Sequence, residues 1–134
     1  MSFDVFNPDE LGVPRGWNNG LLAPEGGRLL FVAGQTARDR GGAIGGDLAE
    51  QFGVALDNVL LVLRAAGGRP EHVGRMTVFV TDMEEYRQSL RRLGEEYRER
   101  MGRHYPAMAL MEVSGLVDEG ARVEIEATAV IPAD

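Results

Sequence analysis

The sequence predicts an α+β domain, a mixed sheet with two helices packed on one of its faces. Three observations carry this. Two long segments repeat apolar residues at helical spacing, and five shorter ones read as strands. Their order is two strands, helix, strand, helix, two strands. The closing strand is apolar on one face and bears carboxylates on the other.

The 134 residues suit one domain, 1–134, with a single core and no internal repeat. The stretch to Gly16 is rich in Pro and Gly and is expected to form an N-terminal arm, 1–16. Trp17 to Leu22 and Leu29 to Ala33 are expected as two strands, joined by a turn through Pro24-Glu25-Gly26-Gly27. Gly34-Gln35 ends the second, and a glycine-dense loop runs from Arg40 to Gly46.

Asp47 and Glu50 have the spacing of a capping box, so a helix should open there. Its buried stripe is Leu48, Phe52, Leu56, Val59 and Leu63, and Gly67-Gly68 stop it. Val73 to Val80 alternates as a strand. Asp82 and Glu85 suggest a second capping box, opening a helix with the stripe Tyr86, Leu90, Leu93, Tyr97 and Met101. Its outer face sets Arg91–Glu95, Arg92–Glu96 and Glu96–Arg100 at i,i+4, the pattern of a solvated face. Gly102 ends it. Ala107 to Val113 and Arg122 to Ile131 complete the strands, across a turn at Asp118-Glu119-Gly120. With both helices on one side, the opposite sheet face has no cover within the chain, which favours self-association.

Composition removes whole classes of chemistry. There is no Cys, so no thiolate nucleophile, disulfide or Cys-zinc site. All 14 basic residues are Arg, so no lysine is present to form a Schiff base. His72 and His104 are the only imidazoles, and no H-E-x-x-H spacing exists. The expectation is a site without metal or cofactor. The net charge of −7 disfavours nucleic-acid binding. No apolar run approaches the ~20 residues that cross a bilayer, and the N-terminus lacks a signal peptide's basic and apolar regions, so no membrane and a cytoplasmic location are expected.

Few residues remain as candidates. Glu124 and Glu126 share one face of the last strand; either serves as a general base, or both are ion-paired or solvated. Gly34-Gln35 either offers backbone N–H groups to a ligand oxygen or is a plain turn. The Gly41 to Gly46 loop lacks both phosphate-binding spacings. His104, beside Tyr105-Pro106, is a base or an exposed loop residue, and His72 lies in a polar loop. Trp17, beside Asn18-Asn19, lines a pocket or anchors core or interface.

Leu30-Phe31-Val32-Ala33-Gly34-Gln35, Leu56-Asp57-Asn58-Val59, Thr77-Val78-Phe79-Val80-Thr81-Asp82, Tyr105-Pro106-Ala107 and Val123-Glu124-Ile125-Glu126-Ala127 occur in this order and spacing. Together, from about Leu29 to Ile131, they resemble the Rid family (reactive intermediate deaminase, also called YjgF-like or L-PSP endoribonuclease-like). The resemblance implies a chorismate-mutase-like fold, a homotrimer, and small-molecule clefts between subunits. It also implies hydrolysis of enamines and imines such as 2-aminoacrylate or 2-iminobutanoate. In that pattern an Arg after Pro-Ala grips the substrate carboxylate, a Glu at Glu124 positions water, and backbone beside Gly34-Gln35 holds the ligand.

The chain departs from the pattern at that site. Met108 follows Ala107 where the Arg belongs, Ala33 replaces a small hydroxyl residue, Leu90 falls where a cleft Asn is common, and Asn18 falls near an aromatic hydroxyl's place. Losing a charge-assisted Arg–carboxylate contact removes about 1.5–3 kcal/mol. The expectation is therefore a protein that binds or transforms a small metabolite without the usual 2-imino-acid deaminase activity. The alternative is a deaminase in which another cation takes over; Arg38 is the named substitute, against a plain solvated Arg.

Overall fold

The computed structural model describes residues 3–133. Nine regular elements follow in order: β1 (Asp4–Phe6), β2 (Gly20–Leu22), β3 (Arg28–Gln35), α1 (Leu48–Ala65), β4 (Val73–Val80), α2 (Met83–Gln88), α3 (Leu90–Met101), β5 (Ala107–Glu112) and β6 (Val123–Ile131). Short 3-10 turns cover Asp9–Leu11 and Pro70–His72. The main sheet has the order β3-β6-β4-β5. β6 is antiparallel to both β3 and β4, and β5 runs parallel to β4, so the sheet is mixed as expected.

Both helical units lie on one face. Met76, Val78 and Val80 of β4 and Val123, Ile125 and Ala129 of β6 are buried with Leu56, Val59 and Leu63 of α1 and Leu93, Tyr97 and Met101 of α3. Leu56 and Leu63 are fully buried, and truncating either to Ala should cost about 2–5 kcal/mol. The other face is open: Leu29 is 63% and Phe31 75% exposed.

Local signals account for the helix limits. The Asp47 carboxylate accepts from the Glu50 N–H at 3.0 Å while the Glu50 carboxylate accepts from the Asp47 N–H at 3.3 Å. At the far end Gly67 has φ 83°, and the N–H groups of Gly67 and Gly68 bond the carbonyls of Arg64 and Leu63. This closes a Schellman motif that side-chained residues adopt only with strain.

Five expectations need correction. The segment expected as an arm carries β1, which pairs with β2 in a separate two-stranded sheet. The strand expected over Trp17 to Leu22 therefore shrinks to Gly20–Leu22 and forms no hairpin with β3, whose partner is β6. The second helix is broken at Ser89, whose hydroxyl donates to the Glu85 carbonyl at 2.7 Å while its N–H bonds Tyr86. A hydroxyl bonding back one turn competes with the helix ladder. The second capping box is half-formed: Asp82 accepts from the Glu85 N–H, but the Glu85 carboxylate is held by Arg122 at 2.9 and 3.0 Å. Likewise Arg92 reaches Asp47 rather than Glu96, tying α3 to the start of α1.

Candidate functional site

The register of β3 against β6 slips between Val32 and Gln35. Val32 faces Ala127 and Gln35 faces Ile125, so Ala33 and Gly34 share one opposing residue. Such bulges re-aim side chains at strand ends. Here the bulge places Gly34 directly against Glu124. A Cβ built on Gly34 would lie 2.5 Å from Glu124 Oε2, 2.9 Å from Cδ and 3.1 Å from Cγ. Only a glycine leaves this carboxylate its place. Among the described residues Glu124 has neither a hydrogen bond nor an ion pair within the chain, and it is half-buried. Gln35 turns its amide back onto the Ala33 carbonyl at 3.1 Å.

The turn that follows is braced from below. Asn58, on α1, donates to the carbonyls of Thr36 at 2.9 Å and Arg38 at 3.1 Å. The buried Thr36 hydroxyl donates to Asp118 at 2.6 Å. Arg38 stands 3.9 Å from the same Asp118, with its side chain 61% exposed. Gly34, Gln35, Arg38, Asn58 and Glu124 all line one open cavity of about 560 Å³.

Met108 is elsewhere. It is in register with Met76, on the helix-covered face of the sheet, whereas Glu124 is in register with Phe79, on the open face. With Leu110 it walls a groove of about 370 Å³ between β5 and α3, a size in the range of small-molecule sites. Leu90, 55% exposed, lines the same groove. Arg15 and Arg98 complete its lining from the outside. Ala107, one residue before Met108, belongs to the open face, paired with Arg75.

Tyr97 and Tyr105 stack at the bottom of this groove with ring centroids 5.4 Å apart. The Tyr97 hydroxyl donates to the His104 carbonyl at 2.6 Å, and burial, then Tyr105, pushes its pKa up. It is a structural hydroxyl, not a proton donor poised for catalysis.

Of the remaining sequence candidates, Asn18 and His104 serve the docking of the N-terminal segment. Asn18 donates its side-chain amide to the Tyr105 carbonyl at 2.6 Å, accepts from Asn7 at 2.8 Å, and its backbone N–H bonds Pro106. Trp17 is 44% exposed and donates to Asn19. His104 is half-buried, its Nε2–H donating to the Val73 carbonyl at 2.6 Å while Phe3 stacks on the ring. His72 is buried, and its Nδ1 accepts from the Arg69 N–H at 2.9 Å, which holds it as a neutral acceptor. His104 thus lies in the loop the sequence suggested but is not exposed there, and His72 is buried in a 3-10 turn rather than a polar loop. Among the described residues no three His, Asp or Glu side chains converge as a metal site, and no helix is long and apolar enough to cross a membrane.

A family model described as Endoribonuclease L-PSP matches residues 16–131. The chain belongs to that family. Among its L-PSP relatives, a RutC family protein of Pyrococcus horikoshii is 35% identical over 109 residues, covering 80% of this chain and 82% of that one. Human 2-iminobutanoate/2-iminopropanoate deaminase is 31% identical over 105 residues, 77% of this chain and 73% of the human protein. Among solved structures, a protein of unknown function of the conserved Rid family from Yersinia pestis superposes with a TM-score of 0.85 at 29% identity, over 98% of this chain and 100% of that one. Escherichia coli TdcF, solved with bound serine, gives 0.67 at 28% identity over 85% and 93%. The fold is thus the YjgF-like one that the L-PSP resemblance implied.

The structure brings Glu124, Gly34, Gln35 and Arg38 together, with Ala33 beside them in the bulge, and separates them from Met108 and Leu90 by the thickness of the sheet. Sequence reasoning did not single out Asn58, Thr36 or Asp118 as supports, nor Arg15 and Arg98 at the groove. Asn58 had a signal, a lone amide within the apolar run of α1. Arg98 had none, because it sits in a charge run that reads as a solvated face.

Proposed function

We propose that this L-PSP family protein binds a small metabolite in clefts between copies of the chain, assembled as a homotrimer, and lacks the 2-imino-acid deaminase activity named for its human relative. In each cleft the Glu124 and Gly34–Gln35 surface of one copy would face the Met108 groove of another. The observation that carries this is the pairing of an unpartnered Glu124 with a methionine where the family's carboxylate-binding Arg would stand. The two half-sites lie on opposite sheet faces, so one chain cannot present both to a single small ligand. The open face, with Leu29 and Phe31 exposed, supplies apolar surface for assembly.

Glu124 keeps the means to orient a water, its carboxylate an acceptor held against a backbone turn whose N–H groups suit a ligand oxygen. What is missing is the cation. Met108 offers a flexible apolar wall instead, and a small 2-imino acid should bind at least about tenfold more weakly for it.

The test is to generate 2-iminobutanoate or 2-aminoacrylate in situ with a dehydratase and follow its disappearance. Hydrolysis no faster than in buffer is expected, with activity gained on Met108→Arg. Turnover of the wild type in the ordinary enzyme range of about 1–10³ s⁻¹ overturns the proposal.

One observation favours a second reading. Arg38 lines the same cavity as Glu124, so it is placed to hold an anion there. A deaminase anchored in this way loses turnover on Glu124→Gln and shows a raised KM on Arg38→Ala. RNA cleavage, which the family's description names, gains no support from a chain with net charge −7 and no Lys.

A further inference from the structure

Of the four arginines on α3, three are spoken for. Arg91 pairs with Glu95, Arg92 with Asp47, and Arg100 with Asp57 and Glu96. Among the described residues Arg98 has no carboxylate partner, and neither has Arg15, yet both line the Met108 groove. Other arginines among the described residues also lack a carboxylate partner; what sets Arg15 and Arg98 apart is that both line this one groove.

Arg98 is also accommodated by design of the helix. Gly94 lies one turn before it, and a Cβ there would come within 3.0 Å of Arg98 Nη1. The guanidinium therefore folds back over Gly94 toward the groove. A glycine inside a helix is unfavourable relative to alanine, and here its lack of a side chain is what leaves the cation room.

The walls between these cations are apolar. Met108, Leu90 and Leu110 face the groove, with Met108 half-buried and both arginines exposed at the mouth. Positive charge has thus moved from the floor, where the family motif would place it, to the rim. In a 2-imino acid the carboxylate is bonded to the reacting carbon, so a floor anchor and a reacting centre are adjacent. A rim anchor instead requires an apolar spacer between carboxylate and far end.

We propose that the groove takes a monocarboxylate with an apolar body, its carboxylate held by Arg15 and Arg98 and its body lying on Met108, Leu90 and Leu110. This rests on the small-metabolite reading of the site and names the ligand class. Charge-assisted contacts to a carboxylate strengthen the grip of both guanidiniums, and the apolar walls exclude short hydrophilic anions.

Calorimetric titration of the full-length protein with 4-phenylbutanoate, its neutral amide and acetate tests it. The acid should bind about tenfold or more tightly than the amide, with acetate weakest. Arg15→Gln and Arg98→Gln should each weaken the acid about tenfold and leave the amide unchanged, while Arg64→Gln, exposed on α1 and outside both cavities, changes neither. Gly94→Ala should raise the thermal midpoint yet weaken the acid, because it displaces the Arg98 guanidinium without removing its charge. Equal binding of acid and amide, or no binding of either, overturns the proposal. So does a loss that appears only in Arg38→Gln, or a Gly94→Ala variant that binds the acid as the wild type does. Wild-type hydrolysis of 2-iminobutanoate would instead overturn the missing-deaminase reading and leave these affinities standing.

Discussion

Gly34 and Glu124 compete for one volume: the position of a Cβ on the glycine lies 2.5 Å from the carboxylate oxygen of the glutamate. The β-bulge at Ala33-Gly34 creates this approach, and it leaves the carboxylate beside the backbone of the turn. Gly34→Ala should therefore displace Glu124 and destabilise the fold by about 1–3 kcal/mol. Glu124→Ala should relieve most of that cost. A double-mutant cycle from urea midpoints checks it, and additive effects would show that the two do not share space.

Asn58 holds the turn through two donated bonds, to the Thr36 and Arg38 carbonyls. Asn58→Ala should cost about 1–3 kcal/mol and raise amide exchange over residues 36–40. Asn58→Asp should be worse than Asn58→Ala, because a carboxylate has no proton to donate and faces two carbonyl oxygens. The ranking of thermal midpoints decides this.

His72 should give the protein a pH dependence near neutrality. Burial, reinforced by Arg69 and opposed by Glu71, lowers its pKa from 6.5. The unfolded chain therefore takes up the proton first as pH falls. Stability is full above the unfolded value and declines as pH drops through 6.5 toward the lowered value in the fold. Denaturant midpoints at about pH 7.5 and about pH 5 measure the slope. His72→Asn keeps an acceptor for the Arg69 N–H and should flatten it.

Asp47 acts in a lower window. The Arg92 guanidinium and then the Glu50 N–H hold its carboxyl at about 2, below the usual 3.8. Its contribution is present above 3.8 and is lost as pH falls through about 2. Asp47→Asn retains the cap and loses the ion pair, so its thermal midpoint at neutral pH should lie close to the wild type and above that of Asp47→Ala.

The exposed Phe31 on the open face should sit within the assembly. Sedimentation is expected to give a trimer, and Phe31→Asp, a charge placed among apolar neighbours, should shift it toward monomer while leaving the circular dichroism spectrum unchanged. A wild-type monomer would remove the shared clefts.

Much of this protein was legible in its residues. The spacing of Leu48, Phe52, Leu56, Val59 and Leu63 determined the buried face of α1, and Asp47 with Glu50 determined where it begins. Alternation determined that Val123, Ile125 and Ala129 are core while Glu124 and Glu126 point away. The motif order determined the family, and the replacement of its arginine by Met108 was visible at once. Ser89 was harder to read, because a hydroxyl breaks a helix only when its bond to the preceding turn wins over the ladder.

What tertiary structure alone decided is which of these residues can meet. Within a strand, period two assigns a side chain to one face or the other, but strand pairing sets how the faces of different strands align. The pairing of β4 with β5 and β6 puts Met108 under the helices and Glu124 on the open face. Partner choice among cations was likewise settled in space: three arginines of α3 found carboxylates, and Arg98 was left at the mouth of the groove. Composition supplies the charges; only the packed chain determines which remain unpaired, because pairing depends on distances between segments that sequence spacing does not record.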